Sequence, residues 1–238
     1  MLPRLPDRLA AAGLLLCPVC RSDWSGRDGC CAGCLERLRE LAASGLELPG
    51  LAALGYYRGF LARAVRAYKY GQARRLVRPL ATALATLVTR RGWRPRLLTH
   101  VPLHPNRRRR RGFDQAALLA GTLAELLGVP WRPLLDRVRA TPQQARLSAV
   151  SRRRNVSGVF RPLAPARGTV LLVDDVFTTG ATLGECREVL EAAGASAVLL
   201  GTLAVAGQNP RSAEPPDGQK ETMTPLVIPS NAPTRTWG

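Results

Sequence analysis

Lysine is almost missing from this chain. Of its 35 Lys and Arg residues only Lys69 and Lys220 are lysine. Histidine stops at His100 and His104, and aromatic residues make up 5%. No apolar run approaches the roughly 18 residues that a membrane span needs. "LAAAGLLLCPVC" looks superficially like a signal-peptide core, but a Cys-x-x-Cys pair follows it where a small-residue cleavage site would stand. The expected location is therefore cytoplasmic. So few aromatics give little material for a base-stacking surface. His100 falls in an apolar stretch and reads as a core residue. His104 falls in a loop, and neither is chosen as a catalyst.

What is abundant is arginine, beside Ala, Leu, Gly and Pro, the composition that a GC-rich genome produces. The net charge is +18. It is uneven: from His100 to Arg161 there are 13 arginines against Asp114, Glu125 and Asp136. A stretch that basic needs an anionic partner or full solvation.

Three segments stand out. Residues 1–45 hold five of the six cysteines. Residues 46–206 alternate helix-like and strand-like patterns. Residues 207–238 are Pro-rich and polar with little periodicity, the composition of a disordered tail. In the middle segment "GFLARAVRAYKY" places Leu61, Val65 and Tyr68 on one helical face. "PLATALATLVTRR" suggests a helix starting at Pro79. "DQAALLAGTLAELLG" is a helix with Asp114 as its cap, Leu119, Leu123 and Leu126 or Leu127 as its stripe, and Gly128 at its end. "RLLTHV", "TVLLV" and "SAVLLGTLAV" read as strands, and "TLGECREVLEAAG" as a helix. Apolar strands alternating with helices predict an α/β fold, a mostly parallel sheet flanked by helices. Ligands of such sheets bind at the carboxyl ends of the strands.

Cys17 and Cys20, then Cys31 and Cys34, form two Cys-x-x-Cys pairs a short loop apart. Four thiolates so placed wrap one tetrahedral Zn2+ as a structural site with no open position. Disulfides are the alternative in an oxidising compartment. Cys30 stands next to Cys31 and competes as a ligand. Cys186 reads as a buried helix residue.

"VLLVDDVFTTGAT", Val170 to Thr182, carries the chemistry. The strand "TVLLV" is expected to end at Val173, with Asp174 and Asp175 just beyond it. A tight loop follows, with the next helix starting near Thr182. Gly180 permits a close backbone approach. The N–H groups of the loop and of the helix start form an anion site, to which Thr178, Thr179 and Thr182 add hydroxyls. That half suits a phosphate. The carboxylates suit two sugar hydroxyls, so a phosphorylated ribose satisfies both halves. "LLVDD" also opens response-regulator receiver domains, but there the acids come early, and here only 63 residues follow Asp175.

The stretch resembles the ribose-phosphate signature of type I phosphoribosyltransferases. The wider chain, from Cys17 to about Ala206, is similar to the ComF family. The likeness is carried by the N-terminal cysteines, "YKYGQARRL", "VPLHPNRRRRRGFDQAALLA", "LLDRVRATPQQARLSAVSRRRNVSGVF" and the signature. The resemblance implies a type I phosphoribosyltransferase fold behind a small N-terminal zinc-ribbon-like module. It also implies binding of phosphoribosyl pyrophosphate with Mg2+ and transfer of the 5-phosphoribosyl group to a nitrogen nucleophile. Asp174 and Asp175 would hold the ribose, while Thr178, Thr179, Gly180, Ala181 and Thr182 hold its phosphate. The connection from Leu103 to Arg107 would meet the pyrophosphate. "RVRATPQQARLS" fits a mobile active-site loop in which Arg139 and Arg146 neutralise departing charge, and equally an ordinary surface hairpin. The alternative function is binding of the ligand or of single-stranded DNA without turnover, in DNA uptake. Family members commonly have Asn where this chain has Asp114, and either residue caps a helix.

Overall fold

The computed structural model describes residues 15–24, 28–70, 73–103, 109, 112–139 and 158–207. A two-stranded ribbon, β1 (Leu15–Leu16) and β2 (Asp23–Trp24), precedes α1 (Ala32–Ser44). Then come β3 (Leu46–Leu48), β4 (Leu51–Tyr56), α2 (Gly59–Tyr70), a 3-10 turn at Arg74–Leu76 and α3 (Val77–Arg90). They are followed by β5 (Leu97–His100), α4 (Gln115–Leu127), β6 (Leu135–Arg137) and β7 (Phe160–Pro162). The described chain closes with β8 (Gly168–Phe177), α5 (Ala181–Ala192) and β9 (Ala195–Val205). Among the described residues no helix is long and apolar enough to cross a membrane.

The main sheet has five strands in the order β3-β4-β9-β8-β5. β4, β9, β8 and β5 run parallel, and β3 adds an antiparallel edge. This is the expected α/β class, a mostly parallel sheet flanked by helices. The apolar runs arise because both faces are covered. Leu171 and Val173 join the core under α2, α3 and α4, and Val170 and Leu172 join the one under α5. All four are fully buried, each contributing roughly 1.5–3 kcal/mol.

Helix faces follow their sequence patterns. Leu61, Val65 and Tyr68 of α2 are buried. Asp114 caps α4 by accepting the N–H of Ala117 at 3.0 Å, and Gly128 ends it in the left-handed region at φ 67°. Of the two candidates for the end of that stripe, Leu127 packs on the core and Leu126 is exposed. α3 begins two residues before Pro79, which lies in the first turn, where a missing N–H costs no helical bond. α1 sends Cys34, Leu38 and Ala42 into the same core as α3.

Two elements differ from the sequence expectation. "LAALGY" forms β4, a strand that the sequence pattern did not single out, and it is fully buried over Leu51–Leu54 beside β9. β8 does not end at Val173 but runs through both acids to Phe177. The cause is β9, which pairs with Asp174 at Thr202, with Val176 at Ala204 and with Phe177 at Val205. β5 stops pairing at His100 opposite Val173. Among the described residues the final residues of β8 are thus held from one side only.

Candidate functional site

The acids lie where β8 loses its β5 neighbour. The N–H of Val101 donates to the carbonyl of Val173 at 3.0 Å, and the chain then turns away towards Leu103. Asp174 and Asp175 are half-buried. Successive side chains of an extended strand point to opposite faces. Asp175 follows Leu171 and Val173 towards α2. There its Oδ1 pairs with Lys69 Nζ at 2.7 Å, with the two side chains 13% and 15% exposed. Asp174 follows Val170 and Leu172 towards α5, and its Oδ1 accepts the N–H of Asp175 at 2.7 Å. Burial, and then the charge of Asp175, push the Asp174 carboxyl up to about 7, against the pull of Lys69. On the same side the Cys186 thiol is raised by its own burial and by Asp174. Thr202, opposite Asp174 on β9, is wholly buried, and its Oγ1 has no partner among the described residues.

From Phe177 the chain makes a short turn through exposed Thr178 and Thr179 to Gly180. Gly180 has φ 76° and ψ −9° and is the N-cap of α5. A Cβ there would lie 2.8 Å from Cζ of Phe177, so both conformation and space demand glycine. Ala181 and Thr182 open the helix and are half-buried. The N–H groups of the first helical turn have no helical acceptor, and the positive end of the helix dipole coincides with them. One continuous segment therefore joins two carboxylates to the positive end of α5.

The connection after β5 is braced from α4. Asp114 Oδ2 accepts the N–H of Leu103 at 3.1 Å while its Oδ1 caps the helix at Ala117. His100 Nε2 lies 4.0 Å from the same Oδ2. Leu103 is thus fixed just past the carboxyl end of β5. Arg107 and Arg146 lie outside the described residues. Arg139 is exposed beyond β6, beside Gly158.

The cysteines come together. The sulfurs of Cys17, Cys20, Cys31 and Cys34 lie within 4.8 Å of one another, and this cluster can hold a metal ion. Cys17 and Cys34 are 3.7 Å apart and Cys20 and Cys31 3.5 Å, close to the edge of about 3.8 Å that four sulfurs at 2.3 Å from one Zn2+ would make. Arg21, at φ 68°, turns the chain just after Cys20, and its N–H donates to the Cys17 carbonyl at 2.9 Å. Hydrogen bonding with Ser22 draws the Cys20 thiol down to about 6 and lowers Cys31 as well. Cys30 is not part of the cluster, and burial pushes its thiol up to about 12. Cys186 is buried in α5, as expected.

The sequence reading missed Lys69, Tyr68 and Gln115 as site residues. The phenol of Tyr68 donates to the Gln115 carbonyl at 2.7 Å, and Gln115 Nε2 donates to the Lys69 carbonyl at 3.5 Å. These contacts tie the end of α2 to the start of α4. The signal available was compositional: Lys69 is the only lysine among the described residues, in a chain that otherwise uses arginine.

No family model matches the chain. DNA utilization protein YhgH of Salmonella typhi is 43% identical over 106 residues, which is 44% of this chain and 47% of that protein. Competence protein F of Haemophilus influenzae is 38% identical over 116 residues, 46% of this chain and 50% of that protein. The chain therefore spans about half the length of the curated relatives it matches. Among solved structures, adenine phosphoribosyltransferase from Leishmania tarentolae aligns over 68% of this chain and 93% of its own, with 12% identity and a TM-score of 0.41. Over the matched half of their length, the chain is similar to the DNA utilization protein and to competence protein F, as its ComF resemblance leads one to expect.

Proposed function

We propose that the chain binds phosphoribosyl pyrophosphate with Mg2+ and transfers its 5-phosphoribosyl group to a nitrogen nucleophile. The observation that carries this reading is the single segment 174–182. It sets two carboxylates, at the point where β8 loses its β5 neighbour, one short turn before the glycine-capped start of α5. The 5-phosphate would lie on the N–H groups from Thr179 to Thr182, and the ribose would sit at the edge of β8 that β5 leaves uncovered beyond Val173, its hydroxyls meeting Asp175 from one face and Asp174 from the other. The pyrophosphate would face Leu103 and Arg107. Bound Mg2+ would supply charge neutralisation at the pyrophosphate. The bond from ribose C1 to the pyrophosphate oxygen breaks, a bond from C1 to the acceptor nitrogen forms, and the proton that the nitrogen sheds leaves with the pyrophosphate. Arg139 and Arg146 would offset charge on the leaving group. The cysteine cluster would hold a structural Zn2+ in an N-terminal module of residues 1–45, ahead of a catalytic domain of residues 46–206.

A second reading is binding of this ligand, or of single-stranded DNA, without turnover. It fits relatives named for competence and DNA utilization. One feature of the site also favours it: Asp175 is already neutralised by Lys69, and Asp174 is pushed up to about 7. The pair presents less negative charge to a cationic ribose than two ionised acids would. Release of pyrophosphate across a panel of nucleobases and amines separates the two. Release with one acceptor supports transfer, and tight binding without release supports the second reading.

A further inference from the structure

The Lys69–Asp175 pair joins the end of α2 to the acids of β8. We infer that Lys69 is a pyrophosphate ligand, bridging Asp175 and the phosphate oxygens, and so makes the site select phosphoribosyl pyrophosphate over ribose 5-phosphate. The inference rests on the phosphoribose reading and adds to it a residue and a basis for choosing the ligand.

An ammonium has three N–H donors. One reaches Asp175 Oδ1 at 2.7 Å, and the side chain is only 15% exposed, so bulk water meets little of the rest. Asp175 keeps its second oxygen for a ribose hydroxyl. Hydrogen bonds to main-chain carbonyls tie the end of α2, which carries Lys69, to the start of α4. The Lys69 carbonyl is bonded to Gln115, the first residue of α4, and Tyr68 holds the Gln115 carbonyl from the same turn of α2. The preceding residue, Asp114, grips the N–H of Leu103. Lys69 therefore belongs to one hydrogen-bonded unit with the connection that would face the pyrophosphate, and it touches the acid that would face the ribose. The residue type fits as well. A compact ammonium is a point charge on a flexible stem with three rotatable donors, able to serve a carboxylate and a phosphate together. Lys69 suits such a double contact, in a chain rich in arginine.

The test is titration calorimetry of wild type, Lys69→Met and Lys69→Arg with three probes. These are phosphoribosyl pyrophosphate with Mg2+, pyrophosphate with Mg2+, and ribose 5-phosphate, with a thermal melt of each variant as a check on folding. Loss of a charge-assisted phosphate contact predicts roughly ten- to a hundredfold weaker binding of both pyrophosphate-bearing probes by Lys69→Met. Ribose 5-phosphate should bind as to wild type, and Lys69→Arg should fall between. Equal weakening of all three probes would make Lys69 merely the counterion of Asp175 and overturn the inference, as would no change in any. If Lys69→Met does not fold, Lys69→Arg and Lys69→Gln are read for the same selective loss. Wild-type protein that binds none of the probes defeats the phosphoribose reading itself, and this inference with it.

Discussion

Asp114 serves two backbone donors at once, the N–H of Leu103 at 3.1 Å and the N–H of Ala117 at 3.0 Å. One side chain thus starts α4 and anchors the connection leaving β5. Replacing it by alanine should remove the cap and leave the Leu103 donor unserved, at a cost of about 2 kcal/mol. Asparagine retains one acceptor oxygen and should lose about half as much. Thermal melting measures both. An Asp114→Ala protein as stable as wild type would show that neither bond matters to the fold.

Gly180 is predicted to tolerate no side chain. Its φ of 76° disfavours every L residue, and an added Cβ would meet the Phe177 ring at 2.8 Å. Gly180→Val should abolish binding of phosphoribosyl pyrophosphate. Thr182→Val removes one hydroxyl but keeps the backbone donors, so its loss should be smaller, about tenfold. Equal effects of the two changes in calorimetric titration would mean that the loop backbone does not hold the phosphate.

Asp174 gives the site a pH signature. Folding raises its carboxyl to about 7. The protonated form is therefore favoured in the fold, and its stabilising contribution is present below pH 4 or so and lost as pH rises to about 7. Above that, ionised Asp174 is a burden on stability. Asp174→Asn should melt higher than wild type at pH 8, with the gap narrowing towards pH 5. The same change should weaken ligand binding at pH 8. Melting curves that differ equally at both pH values would contradict the assignment.

The cysteine cluster predicts one zinc per chain by elemental analysis. Cys17→Ser or Cys34→Ser should lower it, and Cys30→Ser should not, because Cys30 stands outside the cluster. Cys17 and Cys34 are buried in the core shared with Leu38 and Ala42, so a strong chelator should also lower the melting temperature. Metal-free protein with unchanged stability would remove the zinc assignment.

Features set by neighbouring residues were legible in the sequence. Asp114 and Gly128 frame α4 through their own backbones, and the stripe Leu61, Val65, Tyr68 follows helical spacing. The order of acids, threonines and Gly180 likewise survives as one local segment. What was not legible depends on distant chain. "LAALGY" is a short apolar run that periodicity alone does not assign to strand or helix, and β9 makes it a strand. β9 also carries β8 past Val173. The split of Asp174 and Asp175 to opposite faces follows from that extension. The Lys69–Asp175 pair joins residues far apart in sequence, so no local pattern announces it.

The most direct test of the central claim is calorimetric titration of phosphoribosyl pyrophosphate with Mg2+ into wild type and Asp175→Asn at pH 8. Asparagine keeps the size and one acceptor but removes the charge that strengthens a hydroxyl contact. Such contacts are worth roughly 1.5–3 kcal/mol, so binding should weaken by about one to two powers of ten while the protein stays folded. Equal affinity of the two proteins, or no binding by wild type, would contradict a ribose-phosphate site at the end of β8.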